Sequence, residues 1–144
     1  MLKEKEAVLL QHLRQNSRKS LTEISKETKI PVSTLFDALK RLESGTIIKH
    51  VSLLNFPNLG YGLRVSFAIG TKQKNNVKKF LLHNPNVNSL YSLINGYEFL
   101  AECVFKDFKE VIDFKNALEE LQATDMQEIF IVEELKREGF CLDD

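Results

Sequence analysis

Tryptophan is missing from this chain, and cysteine nearly so: Cys103 and Cys141 are the only two. They stand far apart, with no further pair at ligand spacing, which excludes a disulfide scaffold and a cysteine-rich metal module. The expectation is reduced thiols in a cytoplasmic protein, with no metal and no cofactor. No apolar run approaches the roughly 18 residues that cross a bilayer. The opening MLKEKEAVLLQHLRQ alternates charged with apolar residues and has no signal-peptide core, so no membrane partner is expected. A phosphate-binding glycine loop is absent too. The glycines of YGLRVSFAIG flank a strand rather than a strand-turn-helix.

Catalytic groupings are equally sparse. His12 lies on a helix beside Gln11, and His83 ends a helix, where an imidazolium is favoured by the dipole. Cys103 sits in an apolar strand and Cys141 near the C-terminus, so neither looks activated. Glu119-Glu120 and Glu133-Glu134 are adjacent in sequence and point apart. No catalytic residue is assigned, and an enzyme is not expected.

An excess of either charge is also lacking, since 20 Lys and Arg balance 20 Asp and Glu. The balance conceals a split. Residues 1–50 hold ten basic against six acidic side chains, and residues 51–144 hold ten against fourteen. A basic module meeting a polyanion, followed by an acidic one that does not, fits that division.

Periodicity fills in the modules. Leu9, Leu10 and Leu13 stripe a helix over 4–15. Ser20 is placed to cap a second helix over 21–28, and Pro31 forces a turn by pushing Ile30 out of helical geometry. A third helix over 32–44 carries Leu35, Ala38, Leu39 and Leu42 on one face. Ser33, Thr34, Asp37, Lys40 and Arg41 lie on the other, with Phe36 at the flank. Gly45 stands where a left-handed C-cap is wanted. TIIKHVSLLNF (46–56) reads as a strand, and PNLGYG carries linker residues.

Three short helices and a strand make a winged helix-turn-helix, whose third helix enters the major groove of double-stranded DNA. On that reading Ser33, Thr34, Phe36, Lys40 and Arg41 face the bases. Arg18, Lys19 and Lys49 face phosphate, with His50 also in reach of the backbone.

The second half reads strand 63–69, helix 75–84, strands 87–94 and 99–105 joined by NGYE, helix 107–121 capped by Asp107, then a strand from 126. That is the ferredoxin-like βαββαβ order. The fold class is α+β, with a winged helix-turn-helix at 1–56, a linker at 57–61 and the ferredoxin-like effector and dimerisation domain at 62–144. Both strands 87–94 and 99–105 are apolar on either parity, although a sheet with one wet face should alternate. A homodimer closed through the open sheet face is therefore expected.

The chain, end to end, resembles the Lrp/AsnC (feast/famine) transcription regulators. The residues that carry the likeness are LLQHLRQNSR (9–18), Glu23-Ile24-Ser25, STLFDALKRLESGTII (33–48), Leu59-Gly60-Tyr61 and NGYEFL (95–100). The resemblance implies a sequence-specific DNA-binding dimer, often assembled to a tetramer or octamer, that binds an amino acid or similar small metabolite. It puts Asn95, Gly96, Tyr97 and Glu98 at the effector pocket. An ordinary Asn-Gly hairpin turn is the alternative for these four.

The departures from the family pattern are specific. Pro31 replaces a capping Ser, leaving Ser33 to cap the third helix instead. Asp37 and Ala38 stand where Arg is common; Asp37 repels phosphate and can accept from a cytosine amino group. Asn95 replaces a Gly and has to take its left-handed backbone. Glu98 replaces Asp, and Glu128 a Thr. These leave two alternatives: a metabolite sensor or partner of a paralogous regulator that does not bind DNA itself, and, more remotely, a relative of haem-precursor decarboxylases.

Overall fold

The computed structural model describes residues 1–142. It divides the chain into two compact units. The first comprises Met1–Leu53 and, among the described residues, 136–142; the second is Leu54–Leu135.

Three helices build the first unit: α1 (Glu4–Gln15), α2 (Leu21–Thr28) and α3 (Val32–Glu43). Eight residues are too few for α2 to persist alone in water. Tertiary burial holds it, because Leu9, Ile24, Leu35, Ala38 and Leu42 form one closed apolar cluster. Each buried Leu or Ile contributes roughly 1.5–3 kcal/mol. The capping box of α2 forms as its sequence implies. Ser20 Oγ accepts from the Glu23 N–H at 3.1 Å, and Glu23 Oε2 accepts from the Ser20 N–H at 2.9 Å. The bond from the Ser20 N–H, and after it one from the Ser20 side chain, hold the Glu23 carboxyl below its ordinary pKa of 4.5.

Between α2 and α3 the chain turns at Lys29, which is left-handed at φ 63° and donates its N–H to Ser25 O at 2.9 Å. A side chain there is strained, since Cβ crowds the following carbonyl. Pro31 then occupies the N-cap of α3. Ser33 does not take over as cap: the helix begins at Val32 with no side-chain cap bond.

Two further expectations change in this unit. Gly45 is not left-handed. α3 ends instead on ordinary helical backbone at Ser44, and the N–H groups of Thr46 and Ile47 both reach Leu42 O at 2.8 Å. The strand expected over 46–56 does not form. Residues 47–55 pair with no ladder among the described residues, and Ile48 is 97% exposed. β-branched residues fit a pleated, half-buried surface, whereas Thr46, Ile48 and Val51 are exposed here.

The C-terminal segment belongs with the first unit, not with the ferredoxin-like domain where the sequence placed it. Arg14 on α1 is the reason. Its Nη2 donates to Glu138 O at 2.8 Å and its Nε to Phe140 O at 3.0 Å.

The second unit opens with a 3-10 turn at Pro57–Leu59, closed by Gly60 at φ 85°. The sheet follows: β1 (Leu63–Gly70), α4 (Lys74–His83), β2 (Val87–Ser92), β3 (Phe99–Phe105), α5 (Phe108–Glu120) and β4 (Asp125–Ile131). The strands are antiparallel in the order β2-β3-β1-β4. β1 pairs with β3 in a register that sets Phe67 opposite Ala101 and Val65 opposite Cys103. Those side chains join Val77 and Leu81 of α4 and Val111, Phe114 and Leu118 of α5 in a single core. Phe114 lies 5.1 Å from Phe67, 5.8 Å from Phe80 and 5.4 Å from Phe105, centroid to centroid. Asp107 caps α5, its Oδ1 accepting from the Glu110 N–H at 2.9 Å.

The face away from the helices carries Ser66, Ala68, Leu100, Glu102, Val104, Ile129 and Tyr91, by register. Tyr91 and Ile129 are half exposed there, at 50% and 46%. Ile94, counted with this strand in the sequence, falls beyond its end and is almost fully exposed.

Two substitutions test these contacts by chemical denaturation. Phe114→Ala removes a ring shared by three others and should cost about 3–5 kcal/mol. Lys29→Gly relieves the left-handed strain and should gain about 0.5–1 kcal/mol, a loss of stability being the contrary result.

Candidate nucleic-acid interface

Burial of Leu35, Ala38 and Leu42 fixes the rotation of α3 about its own axis. The side chains opposite that seam are Ser33, Phe36, Asp37 and Lys40, all exposed. Lys40 is folded back one turn, its Nζ 4.5 Å from the Phe36 ring centroid. Such a contact over an exposed ring contributes about 0.5–1 kcal/mol and presents ring and ammonium as one surface.

Thr34 and Arg41 sit two turns apart on a different flank, the one turned to α1. The Arg41 Nε donates to Glu6 Oε1 at 2.6 Å, and Glu6 Oε2 accepts from the Lys3 N–H at 3.0 Å. Glu6 is only 7% exposed. The hydrogen bond from Arg41, then that from the Lys3 backbone, hold its carboxyl below the ordinary 4.5. The sequence grouped Arg41 with Lys40; the structure separates them, because neighbours in a helix point about 100° apart. It therefore ties Arg41 to a buried carboxylate instead of leaving it free beside Lys40.

The phosphate candidates divide in the same way. Lys19 Nζ is engaged by Glu27 Oε2 at 2.5 Å and by His12 Nδ1 at 3.3 Å. Arg18 and Lys49 are exposed, and among the described residues neither side chain has an ion-pair partner. Lys26 and Lys29, which sequence reasoning passed over, are exposed and unpaired in the same sense. Their signal was only that they are lysines beside the helix-turn-helix corner. His50 is occupied by Glu43 at 3.0 Å.

In the second unit, Asn95, Gly96, Tyr97 and Glu98 form the loop joining β2 to β3. The left-handed position is Gly96, at φ 91°, and not Asn95. The Glu98 N–H donates to Ile69 O of β1 at 2.8 Å, and the Leu93 N–H, just past β2, to Glu98 O at 2.9 Å, so β1 holds the loop and the loop closes on itself. The Glu98 carboxylate pairs with Lys74 at 3.3 Å. An open cavity of about 500 Å³ in this unit lies elsewhere, between the C-terminal ends of α4 and α5, and is lined by Phe80, His83 and Leu121 among others. None of the four loop residues lines it. Glu128, the other departure in this unit, is paired with Lys115. Burial pushes the Cys103 thiol up to about 12, which makes it a packing group and not a nucleophile. Among the described residues no cluster of His, Cys, Asp and Glu could hold a metal, and no helix is long and apolar enough to cross a membrane.

The helical geometry has a counterpart in known proteins. Residues 5–49 match the family model described as winged helix-turn-helix DNA-binding. A structure of LrpC from B. subtilis superposes with a TM-score of 0.86 at 18% identity, covering 94% of this chain and 98% of that one. The chain has the Lrp/AsnC fold. A transcriptional regulator from Neisseria meningitidis, solved with L-methionine, is similar at a TM-score of 0.84 and 23% identity, covering 95% and 94% of the two chains. An HTH-type transcriptional regulator from Pyrococcus abyssi is 25% identical over 146 residues, 99% of each chain. The Lrp/AsnC likeness read from five short motifs thus extends over both units.

The Glu6–Arg41 pair predicts a pH dependence. A carboxyl held below its ordinary value adds stability that is complete above that value and is lost as pH falls through the folded-state value. Glu6→Gln should be less stable than the parent near neutral pH, and the gap should close as pH falls below 4.5. A gap independent of pH in thermal melts would remove the ion pair from the account.

Proposed function

We propose that this chain is a sequence-specific, DNA-binding transcription regulator, without enzymatic activity, that works as a dimer or a larger assembly. The observation that carries the reading is the winged helix-turn-helix match over residues 5–49, on a segment whose third helix leaves Ser33, Phe36 and Lys40 open to a groove. Arg18 and Lys49 supply phosphate contacts, which orient a protein on the duplex without reading sequence. Lys26 and Lys29 add to the same positive surface.

Dimerisation through the open sheet face is supported by Leu100, Val104, Tyr91 and Ile129, apolar groups that solvent alone would otherwise cover. A two-fold dimer binds half-sites about one helical turn, or a multiple of it, apart. A small-molecule effector is supported by the methionine complex of the Neisseria relative. Its place here is the loop of Asn95, Gly96, Tyr97 and Glu98. The Lys74–Glu98 ion pair has to open for Glu98 to receive an amine.

One observation favours a second reading, a metabolite sensor that does not touch DNA. The outer face of α3 carries Asp37 against Lys40 and so has no net charge. Fluorescence anisotropy with a labelled duplex from the chain's own upstream region, titrated with salt, decides between them. The regulator reading expects log K to fall linearly with log salt. Arg18→Ala and Lys49→Ala should each flatten the slope by about 0.9. No salt-dependent binding, together with a thermal shift by L-methionine, would favour the sensor.

A further inference from the structure

The face of α3 opposite the apolar seam holds one hydroxyl, one ring, one anion and one cation: Ser33, Phe36, Asp37 and Lys40. Arg41 is withdrawn from it by Glu6. The anion is not neutralised by its neighbour. Lys40 lies three residues on and within reach, yet its Nζ rests over the Phe36 ring, and among the described residues Asp37 has no salt-bridge or hydrogen-bond partner. A bare carboxylate therefore stands on the surface that would meet a polyanion. Against phosphate it costs affinity, and against a base edge it needs a donor.

In the major groove most base-edge groups are acceptors: guanine N7 and O6, adenine N7 and thymine O4 all repel a carboxylate. Cytosine N4 is a donor with no major-groove acceptor on its own base, whereas the adenine N6 donor shares its base with the N7 acceptor. We propose that Asp37 is a specificity-determining residue, accepting from a cytosine amino group at one position of each half-site and rejecting the other bases there. Lys40 donates to the guanine acceptors of a neighbouring pair, and the Phe36 ring lies against a thymine methyl. The inference rests on the DNA-binding reading and adds to it the base that is read. A correct pairing of this kind discriminates by about 5- to 100-fold.

The test is enrichment of a random-sequence duplex pool by the full-length protein, Asp37→Ala and Asp37→Asn in parallel. Both substitutions are at an exposed, unpartnered helix position, and circular dichroism checks that both variants fold. The parent should enrich cytosine at one position per half-site. Asp37→Ala should lose preference at that position alone and bind random duplex a few-fold more tightly. Asp37→Asn should move the preference toward adenine, whose N6 and N7 suit an amide. The same motif from all three proteins, or a uniform loss of affinity in Asp37→Ala, overturns the inference. So does salt-dependent binding by the parent without any enriched sequence, which would leave the DNA-binding reading standing. No retention of duplex at any salt concentration overturns both.

Discussion

Everything in the first unit depends on one shared apolar seam. Leu9 from α1, Ile24 from α2 and Leu35, Ala38 and Leu42 from α3 exclude water from a cluster that no one helix could close. α2 has only eight residues, and α3 starts on a proline with no side-chain cap. Neither would persist without the others, because helix nucleation is costly and short helices draw their stability from packing. The seam also sets function. It turns α3 so that what remains outside is the face of Ser33, Phe36, Asp37 and Lys40. A slip of one residue would put Thr34, Asp37 and Arg41, or Phe36, Leu39 and Glu43, where Leu35, Ala38 and Leu42 now pack.

Charge is arranged around that seam so that several cations are occupied before DNA arrives. Arg41 is held by Glu6, Lys19 by Glu27, and Arg14 by the carbonyls of the C-terminal segment. Formal charge in the first fifty residues therefore overstates what a phosphate backbone would meet. Among the cations left over, Arg18, Lys26, Lys29 and Lys49 lie on α2, its flanking turns and the extended segment, while Lys40 stays on the outer face of α3. On the proposed reading, affinity rests mainly on those four and selectivity on the outer face of α3. That division lets a recognition surface carry an acidic group without losing the duplex.

The second unit uses a different constraint. Antiparallel pairing sends alternate side chains of β3 to opposite faces, so Phe99, Ala101, Cys103 and Phe105 enter the helix-covered core while Leu100 and Val104 stay on the other side. The four-ring cluster around Phe114 then fixes α4 and α5 over the sheet. The loop carrying Gly96 is held by a backbone bond from β1 and closed by one between Leu93 and Glu98, and Glu98 pairs with Lys74.

The amino-acid sequence by itself determined the helices, the strands of the second unit, their order, and the caps at Ser20 and Asp107. Periodicity and capping act between residues a few positions apart, so a linear string records them. It misplaced the left-handed glycine, the fate of residues 46–56, the helix-three cap and the allegiance of the C-terminal segment. The fate of residues 46–56 and the allegiance of the C-terminal segment are settled by a partner distant in sequence or by the lack of one, the other two by backbone geometry at the helix ends. The same holds for the candidate site. Ser33, Phe36 and Lys40 were legible because a helix wheel shows them opposite the leucines. That Arg41 belongs to Glu6, thirty-five residues away, and that Asp37 stands without a partner, only the tertiary structure decided. Ion pairing depends on distance in space, and nothing in local spacing encodes which charges the packed helices bring within reach.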